Sequence, residues 1–246
     1  MGYTSVLPVL PVLPGQAQAA PRLKIPAQPV FYLLAGPNGA GKSTLYRALV
    51  LAGSVPASAE FVNADLHEAA HLQHIADPVL RSTQARHWAD ARRAELLRMK
   101  QSFVSETVCS HESKLELIAE AQRQGFFVML LVVALSKPEL LLGRVMQRVG
   151  EGGHTVPAAR ILARYPRTMA NLAVAVRLAD AAVLYDSQEV TPGSHALVAV
   201  CKKGWTQPQV SPLPVWAYQM LVTGHPIEHL SASPPQSRPR PPAPRG

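Results

Sequence analysis

Gly36-Pro37-Asn38-Gly39-Ala40-Gly41-Lys42-Ser43 fits the pattern GxxxxGK[ST]. Its glycines allow successive backbone N–H groups to turn inward around an anion, and the helix that follows the loop adds a favourable field at its N-terminus. Lys42 supplies positive charge for the β- and γ-phosphates of ATP, the Ser43 hydroxyl is a hard oxygen donor for Mg²⁺, and Thr44 follows on the first helical turn. A plain glycine turn capping a helix is the competing reading. The complete motif, set between an apolar strand (VFYLLA) and a helix (TLYRALVLA), argues for the phosphate cradle, with Gly36 to Thr44 as the ATP-binding residues.

A cradle of this kind serves kinases, ATPases and switches alike, so the discrimination must come from the other strand ends. In open α/β sheets ligands sit beyond the carboxyl ends of the strands. Asn63-Ala64-Asp65 follows one expected strand, and Glu106-Thr107 another. Asp65 is suited to take a proton from an attacking hydroxyl, as a general base must. Glu106 is suited to orient that substrate or to assist Mg²⁺ through water, with Asn63 and Thr107 beside it as substrate contacts. Helix capping is the alternative for either acid. Two acids directed into one cleft favour chemistry over capping.

A third group of candidates lies in RVGEGGHTVPAARILARYPRT, from Arg148 to Thr168. Arginine's fixed charge and forked donors suit the charge that develops on a migrating phosphoryl group. Arg144 and Arg148 are four apart on one expected helix, Arg160 and Arg164 four apart on the next, and Arg167 lies beyond Pro166. Arg148 and Arg164 are the pair assigned to the chemistry. Gly150, Gly152 and Gly153 between the helices suit a hinge, as a lid over ATP needs, against the plainer reading of a helix-to-helix turn. His154 is read as a loop residue outside the chemistry.

Positioning these groups requires strands and helices in alternation. Five short, continuous apolar runs read as strands buried on both faces: Val30 to Ala35, Glu60 to Asn63, Ser102 to Glu106, Phe126 to Ala134 and Ala181 to Tyr185. ALVAVCKKG is a candidate sixth strand, and VWAYQML a short buried element. Ser136 to Glu139 reads as a capping box, and Gly125 as the C-cap of the preceding helix. The next helix starts near Pro157 and is expected to falter at Tyr165, because Pro166 disfavours helical geometry in the residue before it. The expected fold class is α/β, a three-layer α/β/α P-loop NTPase or kinase fold with a mainly parallel sheet of five or six strands.

A chain of 246 residues with 48% apolar and 16% charged residues suits one compact domain. Many of its 23 prolines lie in VLPVLPVLPG and SASPPQSRPRPPAPRG, so the expected layout is a disordered leader over 1–28, a kinase domain over 29–222 and a disordered tail over 223–246. The net charge of +8 invites a nucleic-acid reading. From Phe31 to Gln188, however, 17 basic residues face 14 acidic ones, which makes nucleic acid a poor partner for the core and leaves at most a weak contact through Arg238, Arg240 and Arg245. Two cysteines without CxxC spacing fit a reducing, cytoplasmic compartment. The leader lacks a basic residue ahead of its apolar run, unlike a secretory signal, and FFVMLLVVAL is too short to span a bilayer.

In order along the chain, GPNGAGKST, FVNAD, SETVCS, RVGEGGHTVP, RYPRTMANL and ADAAVLYDS resemble the zeta toxin family of P-loop kinases, in a short, GGH-containing branch. The resemblance runs from Val30 to Ser187. It departs from the family pattern at Val108, where many members carry threonine, and at Asp186-Ser187, where related sequences often read Asp-Asn-Ser. It implies phosphoryl transfer from ATP to a small molecule, in the best-known members a hydroxyl of UDP-N-acetylglucosamine. It also implies Asp65 as base, Glu106 as a substrate contact, arginines of the later segment on the transferred phosphate, and an antitoxin protein as partner. Kinases of another metabolite, and an ATP-binding regulator or toxin-like interaction protein with little phosphotransfer, remain the rival expectations.

Overall fold

The structure, a computed structural model, describes residues 28–150, 158–188 and 195–223. The proline-rich flanks fall almost wholly outside the described residues, as does His154. At the centre of the sheet, β1 (Val30–Ala35) is parallel to β3 (Phe103–Thr107) on one side and to β4 (Phe127–Ala134) on the other. Parallel strands β2 (Glu60–Val62) and β5 (Ala181–Asp186) lie beyond them. Antiparallel β6 (Ala196–Lys202) and β7 (Trp205–Pro208) complete the order β2-β3-β1-β4-β5-β6-β7.

Every residue of β1 and β4 is buried, which is why both read as unbroken apolar runs rather than alternating ones. The register brings the strand ends together: Ala35 stands opposite both Thr107 and Val132, and Ala134 opposite Asp186. Stacked Phe31 and Phe103, 4.5 Å between centroids, fill one side of the core. Helices α1 (Lys42–Leu51), α2 (Ala64–His71), α3 (Pro78–Arg98), α4 (Ser113–Arg123), α5 (Glu139–Gly150) and α6 (Ala158–Leu178) fall in the connections of the parallel part, giving the three-layer α/β/α arrangement.

Local chemistry sets the helix ends. Asp77 caps α3 through Oδ1, which accepts from the N–H of Val79 at 2.8 Å and of Leu80 at 3.4 Å, with Pro78 at the first helical position. Gly125 closes α4 as expected, its N–H bonded to Gln122 O at 2.9 Å. The short element at VWAYQML is α7 (Val215–Tyr218) with a following π turn, and it buries Trp216 and Met220. β7 was not foreseen. Its four residues are all exposed and include a proline, so it carries no apolar signal and is held as an edge strand by its ladder to β6.

Helix α6 does not falter at Tyr165. It continues through Pro166 to Leu178. Proline in a helix interior removes a donor and costs about 3 kcal/mol. Against that, Ile161, Tyr165, Met169 and Leu172 form a buried stripe at helical spacing, each contributing about 1.5–3 kcal/mol. The Tyr165 hydroxyl also donates to Leu135 O at 2.8 Å. Tertiary packing therefore outweighs the local preference.

No helix among the described residues is long and apolar enough to cross a membrane. Pro166→Ala restores the missing N–H and should raise stability by about 1–3 kcal/mol, seen as a higher midpoint in urea unfolding. A lower midpoint would mean that the packing of α6 depends on the bend proline imposes.

Candidate active site

The chain leaves β1 at Ala35 and enters the cradle through Gly36, whose N–H bonds to Thr107 O at 3.3 Å. A Cβ at Gly36 would lie 2.1 Å from Val133 O, so only glycine fits between the ends of β3 and β4. Ala40 N–H closes the turn onto Pro37 O at 3.2 Å, and Gly41, at φ +90°, is the N-cap of α1. Lys42 is buried at 6% exposure. Its Nζ donates to Gly36 O at 3.0 Å and to Pro37 O at 3.1 Å, and lies 3.6 Å from Glu106 Oε1. The cradle residues Gly36 to Thr44 are thus assembled at one strand end, with the ammonium over the entrance of the loop.

Glu106 is drawn towards the cradle. Its Oε2 accepts from Ser43 Oγ at 2.9 Å and from Asn63 Nδ2 at 3.1 Å. Asn63 is also the cap of α2, with Oδ1 accepting from Leu66 N–H at 3.1 Å, so both ends of its amide are engaged within the protein. The capping alternative for Asp65 thereby passes to Asn63. Asp65 sits in the first turn of α2, exposed, and lines the same cleft as Lys42 and Glu106. Thr107 also lines the cleft, with its hydroxyl accepting from Cys109 N–H at 3.0 Å. Burial pushes the Cys109 thiol up to about 11, which excludes it as a nucleophile near neutral pH.

The cleft has a volume of about 380 Å³. Besides Lys42 it is lined by Arg86 and Arg93 of α3, Lys114 of α4, and Arg160 and Arg164 of α6; Asp65, Asp90 and Glu106 are its acids. Sequence reasoning missed the α3 and α4 members. Arg86, Asp90 and Arg93 fall four and three residues apart, one stripe of a helix, and that spacing was the available signal. Arg93 is buried, donates from Nη1 to Ser105 Oγ at 3.3 Å and pairs with Asp90, which ties the stripe to β3. Also missed was His195, whose ring meets the cradle at Gly41 O.

The cations crowd one another. Burial, and then the Arg93 guanidinium, lower the pKa of Lys114. Burial, then Arg160 and Arg167, lower that of Arg164. Such mutual repulsion makes a site that gains from an anion. Arg144 has a different use: Nη1 and Nη2 donate to Ser187 Oγ at 3.3 Å and to Ser187 O at 2.5 Å, which joins α5 to the end of β5. Arg148 belongs to the last turn of α5, and its side chain lies outside the described residues.

Ser43 and Glu106 offer hard oxygen donors side by side, a set that fits Mg²⁺. Among the described residues no group of three or more His, Cys, Asp or Glu could hold a metal.

Comparison with known proteins adds three findings. A family model described as Zeta toxin matches residues 16–191. No curated protein matches the chain. Among solved structures the chain is similar to a chain of the AvrRxo1-ORF1:-ORF2 complex with ATP, at TM-score 0.58 and 20% identity; the match covers 74% of this chain and spans 61% of the length of that one. It is also similar to a chain of the PezAT toxin–antitoxin system of Streptococcus pneumoniae, at TM-score 0.50 and 19% identity over 70% of this chain and 71% of that one. At these identities the two structures speak for the fold alone. The Gly152-Gly153-His154 segment expected to mark a branch lies outside the described residues.

Gly36→Ala forces the new methyl group into Val133 O. It should cost about 2 kcal/mol or more in unfolding free energy and abolish ATP binding by calorimetric titration. Retained affinity would show that the loop tolerates displacement from the sheet.

Proposed function

Because the chain belongs to the zeta toxin family, we propose that it is a kinase that transfers the γ-phosphoryl group of ATP to a hydroxyl of a small acceptor. The observation that carries this reading is the meeting of the Lys42 cradle, the exposed Asp65 carboxylate and the arginines of α6 in one cleft. An ATPase or switch needs the cradle. The further cations and the Asp65 carboxylate that line the same cleft suit a bound acceptor.

The loop N–H groups and Lys42 bind the β- and γ-phosphates, with the ammonium exchanging loop carbonyls for phosphate oxygens. Ser43, with Glu106 hydrogen-bonded to its hydroxyl, would hold Mg²⁺, which would supply neutralisation of phosphate charge. Asp65 accepts the proton as the acceptor oxygen bonds to the γ-phosphorus. The bond from that phosphorus to the β–γ bridging oxygen breaks, and ADP leaves with its electron pair. Arg160 and Arg164 face the charge that spreads over the equatorial oxygens, and Arg148 remains a candidate from α5.

The lining of the cleft gives a reading of the acceptor's charge. Lys42, Arg86, Arg93, Lys114, Arg160 and Arg164 outnumber Asp65, Asp90 and Glu106, which favours an anionic acceptor beside the nucleotide. UDP-N-acetylglucosamine meets that description, as do other phosphorylated metabolites. ATP as donor suits a cytoplasmic reaction. An antitoxin partner is proposed on the family and on the likeness to a toxin–antitoxin chain.

Incubating the full chain with γ-labelled ATP and a metabolite extract should yield a labelled small molecule. Asp65→Asn should bind ATP as before while losing about 10²–10⁴-fold in transfer. Slow phosphate release without a labelled product would favour an ATP-binding regulator, and unchanged turnover in Asp65→Asn would remove Asp65 from the chemistry. Expression of the wild-type chain alone should slow growth more than Asp65→Asn does; equal growth would remove the toxin reading.

A further inference from the structure

His195 stands immediately before β6, the strand that reverses the direction of the sheet, and is 4% exposed. Its Nε2 lies 3.1 Å from the Gly41 carbonyl oxygen. A carbonyl oxygen only accepts, so Nε2 is the ring nitrogen that carries the hydrogen. The same oxygen accepts the opening bonds of α1, from Thr44 N–H at 3.1 Å and Leu45 N–H at 3.0 Å. The fit is close: a Cβ at position 41 would lie 2.9 Å from His195 Nε2 and 3.6 Å from Cε1.

The geometry of one peptide unit gives this contact its consequence. The Gly41–Lys42 unit is planar and trans, so its C=O and N–H point in opposite directions. Fixing the oxygen towards the first turn of α1 and His195 directs the Lys42 N–H out of the helix N-terminus, where an anion binds. Gly41 at φ +90° is a residue with unusual backbone freedom, and α1 has no side-chain cap to restrain it. The buried imidazole supplies that restraint from across the sheet.

We propose that His195 is a positioning residue of the phosphate cradle: its Nε2–H holds the Gly41–Lys42 peptide so that the Lys42 N–H and the first turn of α1 face the nucleotide. This role rests on the reading of the loop as an ATP site. Leucine at this position fills the space without donating. Glutamine presents an amide N–H near the position of Nε2.

In calorimetric titrations of the full chain with Mg²⁺ and ATP, His195→Leu should weaken binding by about three- to tenfold. His195→Gln should recover most of the loss. Thermal unfolding of each variant separates loss of fold from loss of the contact. Long-range ¹H–¹⁵N NMR of the wild-type chain reads the tautomer directly and should show hydrogen on Nε2. Equal affinity in His195→Leu, no recovery in a folded His195→Gln, or a ring protonated only at Nδ1 would overturn the role. Failure of the wild-type chain to bind ATP would instead overturn the nucleotide reading, and the tautomer would still test the hydrogen bond.

Discussion

Strand β1 is hydrogen-bonded on both sides, to β3 and β4, and buried on both faces, so the chain leaving Ala35 must pass between two strand ends. That passage allows no side chain. Gly36 faces Val133 O on one flank and bonds to Thr107 O on the other, and the loop beyond it closes a turn from Ala40 N–H onto Pro37 O. Lys42 then returns its ammonium to the carbonyls at the loop entrance. The cradle is therefore a product of sheet topology, because the same crowding that buries β1 dictates where the loop can go.

Around that fixed point the site is organised by charge. Glu106 leans into the cradle, where Lys42, Ser43 and Asn63 gather about its carboxylate. In the same cleft, Lys114 and Arg164 are partly withdrawn from water, with Arg93 beside the first and Arg160 and Arg167 beside the second. Charge is paired around Glu106 and between Arg93 and Asp90, while Arg160 and Arg167 repel Arg164. A polyanion entering the cleft relieves that repulsion, which makes ligand binding and the stability of the surrounding helices mutually dependent.

Much of this was legible in the sequence wherever a local rule coincided with the tertiary demand. The strands of the parallel sheet announced themselves because double burial leaves only apolar residues. That Asp65 and Glu106 line one cleft followed from inspecting the strand ends, although Glu106 lies within β3 rather than after it. The partners of Glu106 could not be read in this way, since Ser43 and Asn63 lie 63 and 43 residues away and meet it only through the order of the strands. The Arg86, Asp90 and Arg93 stripe carried no diagnostic pattern, because small residues, Ala85 and Ala89, are what α3 buries beside it. Pro166 misled for the opposite reason, a strong local rule overruled by a buried stripe and one tyrosine hydroxyl. His195 escaped because β6 runs backwards: in an antiparallel strand it is the residue before the strand, not after it, that reaches the site.

The distance along the chain between Gly41 and His195 has a bearing on biosynthesis. The loop and the residue that grips it are 154 positions apart, with β2 to β5 of the sheet encoded between them. At ribosomal speeds that interval lasts on the order of ten to thirty seconds. During it the emerging polypeptide already contains every glycine of the loop and its lysine, yet lacks the ring that restrains the Gly41–Lys42 peptide. A nascent chain thus acquires the parts of its nucleotide site early and the last restraint upon it late, so competence trails synthesis of the motif by most of the length of the domain.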